Sequence, residues 1–164
     1  MSRLACGRSR LAQSLCHSRE QQSLNTIAME PTFAVAHYQL GRAYVQNQMY
    51  SDAMVEFQKA ILLSGANTTF SSNLAYVYAL AGRKVEAVKI LDGEKKRDHG
   101  FSNSAEIALI YVGLGNNNQA MMWLERAYEE RFNPSILARP TFDPLRSGKR
   151  FQDLLLRIGL SYEQ

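Results

Sequence analysis

The side chains best suited to chemistry are few and widely separated in this chain. Its three histidines, His17, His37 and His99, lie far apart, and none stands in a cluster with the spacing of a metal site. Gly113 and Gly115 fit a helix end and a turn rather than a loop that cradles phosphate. The sequence therefore predicts no enzyme, no metal site and no cofactor, and it indicates a function based on binding.

Cysteine usage and charge narrow the class of protein further. Cys6 and Cys16 both precede residue 17, and a cysteine-free remainder is typical of a reducing compartment such as the cytoplasm. The 19 Lys and Arg against 15 Asp and Glu give a net charge of +4, with the basic residues scattered. The one dense run, Lys95, Lys96 and Arg97, is typical of a solvated helix end. No segment approaches the roughly 18 consecutive apolar residues of a membrane span.

A repeated pattern around three tyrosines predicts the architecture. Tyr44, Tyr78 and Tyr111 stand 34 and then 33 residues apart. Each has a small residue three places earlier and an alanine nine places later. A fixed period in this range is typical of stacked helix pairs, so we expect an all-α array with pairs over residues 34–67, 68–100 and 101–133. The tyrosines are predicted to be packing residues with their hydroxyls near water or a polar partner.

Small residues inside the first pair predict close helix packing. Gly41 and Ala53 lack side chains that would separate the two backbones, and Phe57 is expected beside that contact. Glycine inside a helix costs about 1 kcal/mol relative to alanine, so close approach should offset that cost. In the second pair Glu94 replaces the equivalent of Ala60, and we expect that helix to end early.

The segments outside the three pairs have a different composition. Residues 1–22 are rich in Arg and Ser and predict a poorly ordered or eroded leader, with an organelle transit peptide as an alternative. Residues 23–33, which include Pro31, fit the remnant of a preceding repeat helix. Residues 134–164 predict a turn-rich segment and an amphipathic helix that caps the apolar end of the stack.

The first repeat resembles the tetratricopeptide repeat. The resemblance covers about residues 24–133, and it implies an all-α, right-handed solenoid of about three helix pairs with a C-terminal capping helix. The ending, from Phe142 to Leu155, looks like the tail of such regions in bacterial signalling proteins. The matching positions are His37, Leu40, Gly41, Tyr44, Ala53 and Phe57.

The resemblance also implies where a partner would bind, because the first helix of each pair lines a concave groove in this family. An apolar middle of that groove would suit an amphipathic helix or apolar peptide anchors. Of the basic and amide residues by which chaperone-binding members hold a peptide carboxylate, only Asn73 is matched. Coverage of the groove by the leader or by a second copy of the chain stays open. The implied lining residues are Val35, Tyr38, Arg42, Val45, Ser72, Tyr76, Leu80, Leu109 and Val112.

Three functions remain open at this point. The first is a non-enzymatic module that binds a protein or peptide partner in the groove. The second is a regulatory fragment of a larger bacterial signalling protein. The third is an RNA-binding helical repeat, suggested by the sequence pI of about 9.2, although the spacing favours protein binding. The sequence predicts no membrane partner and leaves a homo-oligomer open.

Overall fold

The structure is a computed structural model that describes residues 10–30, 32–65, 67–97 and 103–159. Cys6, Pro31, His99, the first nine residues and the side chain of Cys16 lie outside this description. Two 3₁₀ helices, Pro134–Ala138 and Pro140–Leu145, separate the last two α-helices. The α-helices are α1 (Arg10–Met29), α2 (Ala34–Gln46), α3 (Tyr50–Ser64), α4 (Thr68–Leu80), α5 (Lys84–Lys96), α6 (Ser104–Gly113), α7 (Asn117–Glu129) and α8 (Lys149–Ile158).

The helices stack in consecutive pairs, as the repeat period predicts. Helices α2 and α3, α4 and α5, and α6 and α7 pack against each other, and α4 also packs on α3 and α6. Within the described ranges the secondary structure is helical, with no strand. The predicted all-α solenoid of helix pairs is therefore confirmed.

The first pair depends on a close contact at Gly41. A Cβ atom placed on Gly41 would lie 2.8 Å from two ring carbons of Phe57, which is fully buried. The missing side chain therefore lets the Phe57 ring lie against the α2 backbone. A second contact of this kind occurs at Gly113, where an added Cβ would lie 2.8 Å from Tyr76 Cδ2 and 3.1 Å from the Tyr76 carbonyl oxygen. It holds the end of α6 close to α4.

The three repeat tyrosines pack with the core as predicted, and the hydroxyls of Tyr78 and Tyr111 have polar partners. The Tyr78 hydroxyl accepts a hydrogen bond from Gln58 Nε2 at 3.1 Å, and the Tyr111 hydroxyl accepts one from Lys95 Nζ at 2.5 Å. The guanidinium carbon of Arg83 lies 4.6 Å from the centre of the Tyr78 ring. These side chains therefore belong to the packing of the stack.

Helix α5 has 13 residues against 15 in α3, so it does end early relative to the first pair, but only after it has passed Glu94. The helix continues to Lys96 with Glu94 buried near its end, where Arg97 Nη1 lies 3.6 Å from Glu94 Oε1. Asn103 Nδ2 also donates a 2.9 Å hydrogen bond to the Glu94 carbonyl oxygen. Arg97 thus places a positive charge beside the buried Glu94 carboxylate, and Asn103 hydrogen-bonds a carbonyl oxygen of the last helical turn.

The N-terminal helix is longer than the remnant predicted over residues 23–33, because α1 already begins at Arg10. It packs on α2, where Asn47 Nδ2 donates to Glu20 Oε2 at 3.5 Å and Ser23 is buried. Packing against α2 stabilises a helix whose own sequence has no strong apolar stripe.

We predict that Gly41→Ala will lower the free energy of unfolding by about 1–3 kcal/mol, because the new methyl group would overpack a ring that has no room to move. Urea denaturation followed by far-UV circular dichroism would measure this change.

Gly93→Ala is the matched control, since a Cβ on Gly93, inside α5, meets no atom within 4 Å. This change should leave stability unaltered or raise it by up to about 1 kcal/mol. Equal stability of the two variants would contradict the close contact at Gly41.

Candidate functional site

The C-terminal segment packs onto the third helix pair and is part of the candidate site. Phe142, in the second 3₁₀ helix, is fully buried among residues of the main core, and this helix packs on α6 and α7. Arg146 fixes the segment internally, because its Nη2 donates to the Leu137 carbonyl oxygen at 3.2 Å and its Nε donates to Asp143 at 2.5 Å. Residues 134–146 therefore form a packed wall.

Most of the predicted groove is buried, which corrects the expectation of an open apolar surface. The Tyr38 ring stacks on Phe70 with a centroid distance of 4.7 Å and lies 5.8 Å from Phe57, so it is an interior packing residue. Leu109 and Val112 are buried on α6, the helix against which the Pro140–Leu145 helix packs. The predicted residues that the structure buries are Tyr38, Ser72, Tyr76, Leu109 and Val112.

A cavity of about 270 Å³ brings four of the nine predicted residues together. Arg42 and Val45 from α2 meet Tyr76 and Leu80 from α4, whereas Val35, 45% exposed, does not line it. Tyr76 is buried as a residue yet contributes to the cavity wall. The remaining lining residues are Gln46, Gln48, Tyr50, Asn73, Arg139, Pro140 and Thr141.

A second cavity of about 470 Å³ adjoins the first along the inner side of α1 and α2. Arg42 and Gln46 line both cavities, so we call the combined surface the Arg42 trough. The other residues of the second cavity are mostly polar: Arg19, Gln22, Ser23, Thr26, Gln39 and Ala43.

The electrostatics of the Arg42 trough are dominated by arginines. Burial is the main cause that lowers the pKa of Arg42, and the positive charges of Arg139 and Arg19 lower it further, against an opposing effect of Tyr38. Arg42 Nη1 donates to the neutral Gln39 Oε1 at 3.1 Å. Within the described residues no carboxylate forms an ion pair with any of these three arginines. Burial also raises the pKa of Tyr76 to about 12, so this hydroxyl stays protonated and neutral.

Sequence reasoning missed the residues of the trough that lie outside the repeats. Arg19 belongs to the segment read as a leader, and Arg139, Pro140 and Thr141 belong to the turn-rich segment. Pro140 and Pro144 signal a turn in this segment, but no local sequence pattern indicates that the segment lies beside α2 and α4. The burial of Leu137, Phe142 and Leu145 in the main core places it there.

The other ionisable cluster is a packing feature. His37 is buried, and its Nδ1 lies 2.6 Å from Glu56 Oε2, while Lys59 Nζ donates to Glu56 Oε1 at 2.7 Å. The buried His37 thus joins α2 to α3. Across the described ranges no group of three His, Cys, Asp or Glu could hold a metal ion, and no helix has the length and apolarity to cross a membrane.

Comparison with known proteins agrees with the geometry of the helix pairs. Residues 34–67 and 105–134 match the model of the tetratricopeptide repeat. These matches support a tetratricopeptide repeat protein. The first match covers the α2/α3 pair and the second covers most of the α6/α7 pair, while α4 and α5 pack between them in the same manner. The all-α solenoid of helix pairs is consistent with an array of such repeats. No curated protein matches the chain.

We predict that Phe142→Ala will lower the free energy of unfolding by about 3–5 kcal/mol, because it leaves a cavity between the C-terminal segment and the third pair. Leu156→Ala, in α8 with 68% exposure, is the control and should change stability by about 0.5 kcal/mol or less. Thermal or urea unfolding of both variants shows whether the C-terminal segment packs tightly on the third helix pair or is a loosely attached tail. A loss no larger for Phe142→Ala than for Leu156→Ala would indicate a loose tail.

Proposed function

We propose that this tetratricopeptide repeat protein is a non-enzymatic interaction module that binds a peptide segment of a partner protein in the Arg42 trough. Such repeats generally mediate protein–protein interaction. The observation that carries the proposal is the convergence of Arg42, Val45 and Leu80 with Tyr76 and the Arg139–Thr141 wall around one cavity. A concave site with apolar surface and a few convergent polar groups is the usual form of a binding pocket.

The size and composition of the trough favour an extended peptide over an amphipathic helix. The apolar stripe that a helix would need is unavailable, because Tyr38, Leu109 and Val112 are buried. A cavity of about 270 Å³ suits one apolar side chain between Val45 and Leu80. The exposed amide of Gln48 can hydrogen-bond with the backbone of an extended segment, which presents free N–H and C=O groups.

The alternative of RNA binding gains no support from the basic run near the end of α5. Lys95 donates to the Tyr111 hydroxyl, and Arg97 lies beside the buried Glu94 carboxylate. Two of the three cations in the run therefore have structural partners. A role as the regulatory part of a larger bacterial signalling protein stays a prediction. The cysteine-free repeats fit a reducing compartment, and we propose a cytoplasmic location on that ground.

A random peptide library displayed on phage and selected against the full chain tests the proposal. Selected peptides should bind the wild-type protein, and Leu80→Asn should weaken them about tenfold, because the substitution removes apolar contact worth about 1.4 kcal/mol. Fluorescence polarisation with labelled peptides would give both affinities.

Val85→Asn, which makes the same kind of change at a residue 81% exposed on α5 and outside the trough, is the control and should change affinity less than about twofold. Equal weakening by Leu80→Asn and Val85→Asn would contradict binding in the trough, as would peptides insensitive to both.

A further inference from the structure

Three arginines from separate parts of the chain line the trough, and among the described residues none of them has a carboxylate partner. Arg19 comes from α1, Arg42 from α2 and Arg139 from the stretch between the two 3₁₀ helices. Arg42 experiences the positive charges of both others. Of the three arginines, only Arg42 belongs to a repeat. Arg19 and Arg139 come from the elements that precede and follow the repeats, and these elements therefore add the other two positive charges.

The carboxylates of Asp143 and Glu20 form no ion pair with these arginines in the described part of the chain. Asp143 accepts the short hydrogen bond from Arg146, and Glu20 accepts one from Asn47. Like charges that are partly removed from water repel one another more strongly than exposed charges do, because the local dielectric is lower. Arg42 is half-buried beside Arg139 and feels the positive charges of Arg139 and Arg19, so a bound anion would offset the repulsion at Arg42.

We propose that the partner segment is acidic, with carboxylates that pair with Arg42 and Arg139 and an apolar side chain that enters between Val45 and Leu80. This inference rests on the proposed function and specifies the chemistry of its ligand. Planar guanidinium groups bind carboxylates through two parallel hydrogen bonds, and such charge-assisted bonds are stronger than neutral ones.

The neutral part of the lining supports a peptide over a nucleic acid. Leu80, Val45 and Pro140 offer an apolar contact next to Arg42 and Arg139. An acidic peptide with apolar residues can use both features at once, whereas a phosphate backbone would use only the arginines. Of the two aromatic residues in the lining, Tyr76 is buried against the end of α6, and Tyr50 is half-buried.

The test uses two labelled decapeptides built from Glu-Glu-Leu repeats, one as such and one with Gln in place of every Glu, and a labelled ten-nucleotide oligouridylate. Each is titrated into the full chain by fluorescence polarisation. We expect the acidic peptide to bind at least about tenfold more tightly than its Gln counterpart, because each charge-assisted bond lost weakens binding by about that factor. Comparable affinity for the two peptides, or tighter binding of the oligouridylate, would overturn the inference.

Variants that remove one positive charge show which residues select the acidic peptide. Arg42→Gln and Arg139→Gln should each weaken the acidic peptide about fivefold to tenfold and leave the Gln peptide unchanged. Lys89→Gln, which removes one charge from an exposed site on α5, should have less than about a twofold effect. Equal effects of Arg42→Gln, Arg139→Gln and Lys89→Gln would show that only net charge matters, and would contradict the site.

A stability measurement checks the repulsion independently of any ligand. Arg139→Gln removes a charge that repels Arg42, so its melting temperature should equal or exceed that of the wild-type protein. A lower melting temperature would show that Arg139 is a stabilising structural residue and would contradict its role in the site.

If the acidic and Gln peptides bind equally and Leu80→Asn weakens both, the trough binds peptides but does not select acidic ones. If neither decapeptide binds and the library yields no peptide, the proposed function fails as well.

Discussion

The close approach of helices at positions without a side chain determines how this stack is built. At Gly41 the α2 backbone lies against the ring of Phe57, and at Gly113 the end of α6 lies against Tyr76. Interaxial distance depends on the side chains at the contact, so larger residues at either position would push the helices apart. The second contact also bears on function, because it holds in place the ring that forms part of the trough wall.

The packing of the C-terminal segment gives the concave side its final form. Buried Phe142 anchors a wall that carries Arg139 and Thr141 toward α2 and α4. As a result, the groove that three bare helix pairs would present is reduced to a trough beside the first and second pairs. A surface expected to be long and apolar is shorter and carries three arginines with no carboxylate partner in the described residues.

Local sequence patterns predicted the features that depend on local packing. The period around Tyr44, Tyr78 and Tyr111 predicted the helix pairs, and the Gly41–Phe57 spacing predicted the contact between α2 and α3. The trough depends on residues more than fifty positions apart, such as Arg42 and Arg139. Arg42 and Arg139 come together because Phe142 is buried, and no periodicity in the sequence indicates this burial. For the same reason the sequence did not predict that Leu109 and Val112 are buried.

The central claim is that the accessible concave surface is the Arg42 trough, and mapping a bound peptide by NMR tests it most directly. Backbone amide shifts of the full-length, isotope-labelled chain would be followed during titration with the acidic decapeptide. The account predicts that the largest shifts fall at residues on both sides of the trough, such as Gln46, Leu80 and Thr141. Largest shifts at exposed residues of α5 and α7, such as Val85 and Met122, with the trough unchanged, would contradict it.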